Sequence, residues 1–433
     1  MAITSSRGDV AGRVLDTVWR MESPRLIATL TRIVRDVGLA EDLAQDAFVA
    51  AVQQWPVEGV PDNPAAWLTS VAKRRAVDHI RRAALSERKH QELGRDLQVA
   101  EELAPDDAER ADDAAIGDDL LRLVFICCHP VLSIDSRVTL TLRLLGGLRT
   151  DEIARAFLTT EATIQQRIVR AKRTLAEARA PFEVPTGPDF EARLGSVLQV
   201  IYLVFNEGYA ATSGDDWVRP GLCEDAMRLG RVLVGLVPGE PEVHGLVALM
   251  ELQASRTRAR IGPGGEPIPL LEQQRSRWDR LLIQRGLEAL RRSEDLGGAR
   301  GPYALQAAIA ACHATAPTAG DTDWPRIVAL YDALAALTPS PVVELNRAVA
   351  VAMAFGPAAG LELVDGIASE PALAGYHLLP AVRGDLLERS GRFEEAAAEF
   401  ARAASMTRNL PEQRLLLERS RSAGVRLGRQ PPL

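Results

Sequence analysis

Apolar residues recur along this chain at spacings of three and four, the period of an α-helix, while the strict alternation of half-buried strands is scarce. Leu43, Ala47, Phe48, Ala51 and Trp55 fall on one such stripe and leave Asp42, Gln45 and Asp46 on the polar side. The sequence PVEGVPDNP then predicts a helix break, with Asn63 as N-cap and Pro64 as the first residue of the next helix. That helix sets Leu68, Val71, Ala72, Ala76 and Ile80 on its buried stripe, and it carries Trp67 and the basic run Lys73, Arg74, Arg75, Arg81 and Arg82 elsewhere. Further on, a helix over 135–145 is expected to stop at Gly146 and Gly147. Thr150 reads as the cap of a short helix, DEIARAF, and Leu158, Thr159 and Thr160 as a tight turn into EATIQQRIVRAKRTLAEARA. Two short helices joined in this way, the second rich in Gln and Arg, form a helix-turn-helix pattern.

Pro181, Pro185 and Pro188 close that unit, and two more helical regions follow. The first contains LVFNEGYAATSGDDW and a Gly/Pro-rich interruption, IGPGGEPIP. The second contains GRFEEAAAEFARAASMTRNLP, where Gly391, Phe393, Ala396, Phe400 and Ala403 have tetratricopeptide-repeat spacing. Gly356 precedes Gly391 at close to the repeat period of about 34 residues, so one good repeat and one or two degenerate ones are expected. The fold class is therefore all-α. Its expected parts are a helical bundle over 10–85, a linker over 86–119, a helix-turn-helix domain over 120–182, a helical domain over 188–295 and repeats over 300–425.

Composition changes this picture in two places. The chain has 433 residues, 47% of them hydrophobic, enough for two to four packed domains. Its formal net charge of -7 is unlike a nucleic-acid binder, but the charge is unevenly spread. Carboxylates crowd residues 101–119 against a single Arg110, which reads as a flexible acidic tether, while cations collect on the two helices already named. No stretch approaches the roughly 18 apolar residues of a spanning helix, and the first residues lack a signal-peptide core. Four cysteines form no disulfide framework, so a reducing, cytoplasmic setting is expected.

Three motifs occur in a fixed order: AEDLAQDAFVAAVQQW, then NPAAWLTSVAKRRAVDHIRR, then DEIARAF with EATIQQRIVRAKRTL. Together they resemble regions 2 and 4 of the sigma-70 superfamily, in particular the extracytoplasmic-function group, over roughly the first 180 residues. The resemblance implies two partners, core RNA polymerase and promoter DNA. Asp42, Gln45 and Asp46 would meet the basic coiled coil of the polymerase clamp, where carboxylates beside an amide suit a cationic surface; region 4 would meet the flap. Trp67, Lys73, Arg74, Arg75, His79, Arg81 and Arg82 would hold the opened −10 segment, cations following phosphates and an aromatic ring supporting bases. The loop over 56–63 stands where the family captures a flipped base. Thr163, Gln165, Gln166, Arg167 and Arg170 would enter the major groove at −35, with Lys172 and Arg173 nearer the phosphates. Leu158 stands where the family's turn commonly has Gly, and Gln165 where a basic residue is frequent, so base preference does not carry over.

The acidic tether would mimic RNA near the polymerase channel. The extension resembles that of a subgroup with an FNEGY-type signature, here Phe205, Asn206, Glu207, Gly208 and Tyr209, and tetratricopeptide-like repeats. It implies regulation by residues 185 to 433 folding against the promoter-binding domains, with a protein partner for the repeats. Cys127, Cys128 and His129 are adjacent and cannot all face one ion, so packing is preferred to a metal site. Glu207 and Glu224 lack a nucleophile, phosphate loop or metal set, so neither catalysis nor a cofactor is expected. Two other readings remain at this point: a helix-turn-helix regulator with a repeat-type sensor, and a scaffold whose basic helices bind acidic proteins.

Overall fold

Among the described residues every long element is a helix, as the spacing of apolar positions requires. The computed structural model describes residues 3–88, 113–157, 159–211, 213–214 and 216–427. The chain divides into two compact units, Met1–Ile201 and Tyr202–Leu433.

In the first unit α1 (Ile3–Val34) runs into a sharp corner at Arg35, whose φ of 59° places it in the left-handed region. Asp36 then caps α2 (Val37–Glu58), accepting a hydrogen bond from the Leu39 amide at 2.7 Å. The expected stripe of α2 is buried, with Phe48 only half so. The helix does not break at Pro56, as the sequence suggested. Pro56 sits inside the last turn, and the chain leaves the helix at Gly59, where φ is 94°. Asn63 caps α3 (Pro64–Arg88) as expected, accepting from the Ala66 amide at 3.1 Å.

Residues 89–112, and with them most of the expected acidic tether, lie outside the described residues. Its end is a correction: Asp113 begins α4 (Asp113–Cys127), and Asp119 is buried, where an exposed carboxylate was expected. Arg32 on α1 and Arg122 hold it at 2.8 and 2.9 Å, which is why a run of acids could still become a packed helix. Ser133 caps α5 (Ile134–Leu144), and the chain turns at Gly147. In α6 (Thr150–Ala156), Thr150 is the first helical residue and not the cap; Arg149 takes the cap position, its amide donating to Glu152 at 2.8 Å. Thr160 caps α7 (Glu161–Glu177), with Ile164, Ile168, Ala171 and Leu175 buried. The expected turn residue Leu158 lies outside the described residues. The first half of α8 (Pro188–Tyr209) closes this unit: Phe190 packs on Phe125, and Arg193 donates to the Phe125 carbonyl at 2.9 Å.

In the second unit helices pack on their neighbours in chain order: α9 (Pro220–Leu236), α10 (Pro241–Ala254), α11 (Arg280–Asp295), α12 (Pro302–Thr315), α13 (Trp324–Leu337), α14 (Pro341–Phe355), α15 (Pro357–Ile367), α16 (Leu378–Arg389), α17 (Phe393–Met406) and α18 (Leu410–Leu427). The interruption IGPGGEPIP forms a turn closed by a bridge between Ile261 and Pro267. Gly356 and Gly391 both have positive φ at the starts of α15 and α17, and Ala396, Phe400 and Ala403 fill the core beneath.

The FNEGY segment explains itself residue by residue. Phe205 is fully buried, Glu207 pairs with Arg219 at 2.5 Å, and Tyr209 stacks on Phe205. A Cβ at Gly208 would stand 2.7 Å from the Cys223 nitrogen and 3.0 Å from the Arg219 carbonyl, so only glycine lets α8 approach α9 this closely. Two residues per strand, β1 (Ser213–Gly214) and β2 (Arg408–Asn409), pair in parallel. Beside them the buried Asn409 amide donates to the carbonyls of Ala211 and Asp216 at 3.0 and 2.9 Å.

Candidate nucleic-acid interface

The polar face of α2 is built as expected but is already engaged. Asp42 and Asp46 are exposed and Gln45 is half-buried. One turn before Gln45, the buried stripe of α2 contains a carboxylate, Glu41, only 2% exposed. Arg143 of α5 meets its Oε1 at 2.6 Å, the Lys172 ammonium of α7 stands 2.6 Å from its Oε2, and Gln45 donates to Oε1 at 2.7 Å. Burial works against this charge, but Lys172 and Arg143 outweigh it and hold the Glu41 carboxyl below the ordinary range. Lys172 also lies 3.6 Å from Asp42. A residue expected on DNA phosphates therefore binds the face expected on polymerase.

The α3 surface behaves similarly in part. Arg75 pairs with Asp46 at 3.3 Å. Trp67 is half-buried and meets Trp55 edge to face at 5.5 Å, so its ring supports the core and keeps one side toward solvent. Arg74, His79, Arg81 and Arg82 are exposed, and Lys73 is half-buried. Arg74 reaches back to the Ser70 hydroxyl at 3.1 Å, and Arg82 to the Asp78 carbonyl at 3.2 Å.

On α7 the exposed residues are Thr163, Gln165, Gln166, Arg170 and Arg173. Thr163 shares a hydroxyl contact of 2.8 Å with the cap Thr160. Arg167 is half-buried beside Asp135 at 3.4 Å, and Arg173 pairs with Glu177 at 2.6 Å. The helix thus divides: Gln165, Gln166 and Arg170 point outward, while Lys172 turns onto α2. A cleft beside that contact is lined by Trp19, Phe48 and Val49 from one side and Arg143, Arg149 and Glu161 from the other.

Sequence reasoning missed Glu41, Arg143, Arg32 and Asp119. The signal for Glu41 was present, since a carboxylate on the stripe of Val37, Ala40, Ala44 and Ala47 needs a cation from elsewhere. Cys127 and Cys128 are buried and their thiols pushed up, Cys128 to about 11, chiefly by burial. They pack as neutral thiols.

Among the described residues no helix is long and apolar enough to cross a membrane. Sigma-70 region 2 matches residues 18–85, sigma-70 region 4 matches 122–175, and a family of unknown function, DUF6596, matches 193–294. An uncharacterised protein of Rhizobium meliloti (strain 1021) is 43% identical over 395 residues, 90% of this chain and 91% of that protein. A probable ECF RNA polymerase sigma factor, SigI of Mycobacterium tuberculosis (strain H37Rv), is 27% identical over 54% of this chain and 84% of its own length. The ECF RNA polymerase sigma factor SigK of Mycobacterium ulcerans (strain Agy99) is 29% identical over 35% of this chain and 78% of its own. No solved structure matches. Region 2 and region 4 of sigma-70 thus stand in order along one chain, and ECF RNA polymerase sigma factors are among its relatives, which together support the sigma-70/ECF class.

Proposed function

We propose that this chain binds core RNA polymerase and directs it to promoters, and that its extension regulates that activity. The observation that carries the reading is the ordered pair of faces: the acidic and amide face of α2, followed by an outward row of Gln165, Gln166 and Arg170 on a capped recognition helix. Asp42, Gln45 and Asp46 take the polymerase clamp. Trp67, Lys73, Arg74, Arg75, His79, Arg81 and Arg82 take the opened −10 strand. Thr163, Gln165, Gln166, Arg167 and Arg170 read the −35 groove, with Lys172 and Arg173 on its backbone.

In this reading the docked arrangement of α2 and α7 is the resting state. Elements about 25 base pairs apart are separated by about 85 Å along duplex DNA, whereas Lys172 touches Glu41. Residues 89–112 provide enough chain to reach about 80 Å when extended. Binding both elements therefore requires the Glu41 contact to break. The extension, residues 185 to 433, controls this access, and its tetratricopeptide-like helices receive a protein partner.

Reconstitution with core polymerase on genomic fragments is the test. Specific transcripts absent with core alone are expected; duplex binding without such transcripts would instead identify an ordinary helix-turn-helix regulator.

A further inference from the structure

The extension contains a column in which guanidinium groups and aromatic rings alternate, outside every role assigned above. Arg260 lies over the Tyr209 ring at 3.6 Å and 5.5 Å from the Trp217 ring, and it donates to the Tyr209 carbonyl. Arg256 stands 5.8 Å from Tyr209 and 5.7 Å from Trp278, and it donates to the Tyr209 hydroxyl at 2.6 Å. Arg275 covers the other part of Trp278 at 4.7 Å and binds the carbonyls of His313 and Ala316 and the Thr322 hydroxyl. Three cations thus line three rings, with Tyr209 and Trp278 each between two of them.

Packing alone accounts for their orientation but not for their charge. Cation–π contacts and carbonyl oxygens hold a guanidinium in place, yet they leave its charge uncompensated. Among the described residues none of the three has a carboxylate in ion-pair contact, although Arg260 is only 7% exposed. Asp321 is near enough to favour the Arg275 charge, but its carboxylate accepts from Thr318. Burial, then the field of neighbouring Arg256, lowers the pKa of Arg275; burial and Arg256 do the same to Arg260. Beside the column two polar atoms are buried without a partner, the Trp278 indole nitrogen and His313 Nδ1. Both belong to side chains more than nine-tenths enclosed, and the indole nitrogen can only donate.

We propose that this column binds a small oxyanion, a phosphate or carboxylate group. Such a group supplies the missing negative charge and accepts from the unused guanidinium N–H bonds, the Trp278 indole and the Tyr209 hydroxyl. A metal ion is repelled by the same field. Arg256 and Arg275 are half-buried, so both keep contact with solvent, whereas Arg260 is buried. A ligand-responsive site thereby sits at the end of the FNEGY segment, inside the matched family of unknown function.

The test uses the full chain labelled with 5-fluorotryptophan and titrated with inorganic phosphate or malonate, with chloride at matched ionic strength as the comparator. The fluorine resonances that disappear in Trp217→Phe and Trp278→Phe are expected to move saturably, while those of Trp55 and Trp67 stay still. Whichever anion binds more tightly identifies the phosphate or carboxylate source. Arg256→Gln should weaken binding by about tenfold or more, and Arg256→Lys, which keeps the charge, by less. Shifts no larger than those in chloride, or unchanged binding in Arg256→Gln with its dispersion intact, would overturn the proposal. No polymerase or promoter enters the measurement, so its outcome is independent of the sigma reading.

Discussion

Replacing Glu41 by Gln preserves the side chain's shape and deletes the charge on which the docking of α2 against α5 and α7 is centred. Its two cations, Arg143 and Lys172, stand 2.6 Å away with 16% and 19% of their side chains exposed. Removing one member of a fully buried ion pair costs about 3–5 kcal/mol, because the other is stranded. Here the stranded cations keep a route to water, which reduces the expected loss to about 2–3 kcal/mol. The docking equilibrium then shifts about 30- to 150-fold toward the open form. A dye pair on Gln53→Cys and Ala176→Cys reports this directly, since both positions are exposed on α2 and α7 and the native thiols are buried. Glu41→Gln should move the energy-transfer distribution to longer distances without polymerase present. A distribution identical to that of the unsubstituted protein at the same ionic strength would refute the argument. The charge also sets a pH direction. Because the docked carboxyl titrates below its ordinary value of 4.5, the contribution is complete above that value and is lost as pH falls through the lower docked one.

Three further outcomes are expected. Asp46→Arg places a cation beside Arg75 at a position 63% exposed, so melting should change by less than about 1 kcal/mol while competition for core polymerase weakens clearly. Gly208→Ala forces a Cβ against backbone atoms 2.7 and 3.0 Å away and should destabilise the extension by about 1–3 kcal/mol in thermal unfolding. Asn409→Ala strands the buried Ala211 carbonyl and frees the more exposed one of Asp216, at a cost of about 1–2 kcal/mol, and should speed amide exchange around Ala211 and Trp217.

Local rules carried the helices well. Asn63 caps where a short polar side chain before apolar periodicity said it would, and the stripe of α2 lies inward, as do Leu68, Ala72 and Ala76 of the α3 stripe, while Val71 and Ile80 are half-buried. The misreadings arose where distant residues decided. Asp119 looked like tether because its acids outnumbered nearby cations, yet Arg32 came from another helix to pair with it. Lys172 was placed by its position on a recognition helix, but a carboxylate far away in sequence determined where its ammonium rests. Gly208 was legible as part of a motif; its reason, the approach of another helix's backbone, was not. The arginine column was invisible because its members are scattered between residues 209 and 316 with no periodic relation.

The clasp of Asn409 on the loop that follows the FNEGY segment has a consequence for synthesis. It joins residues 198 positions apart, so the ribosome must have made that whole stretch before it can form. The first unit ends at Ile201, and at about 5–20 residues per second the chain up to Asn409 takes roughly ten to forty seconds more. During every round of translation the loop after the FNEGY segment therefore stays unclasped until Asn409 has been made.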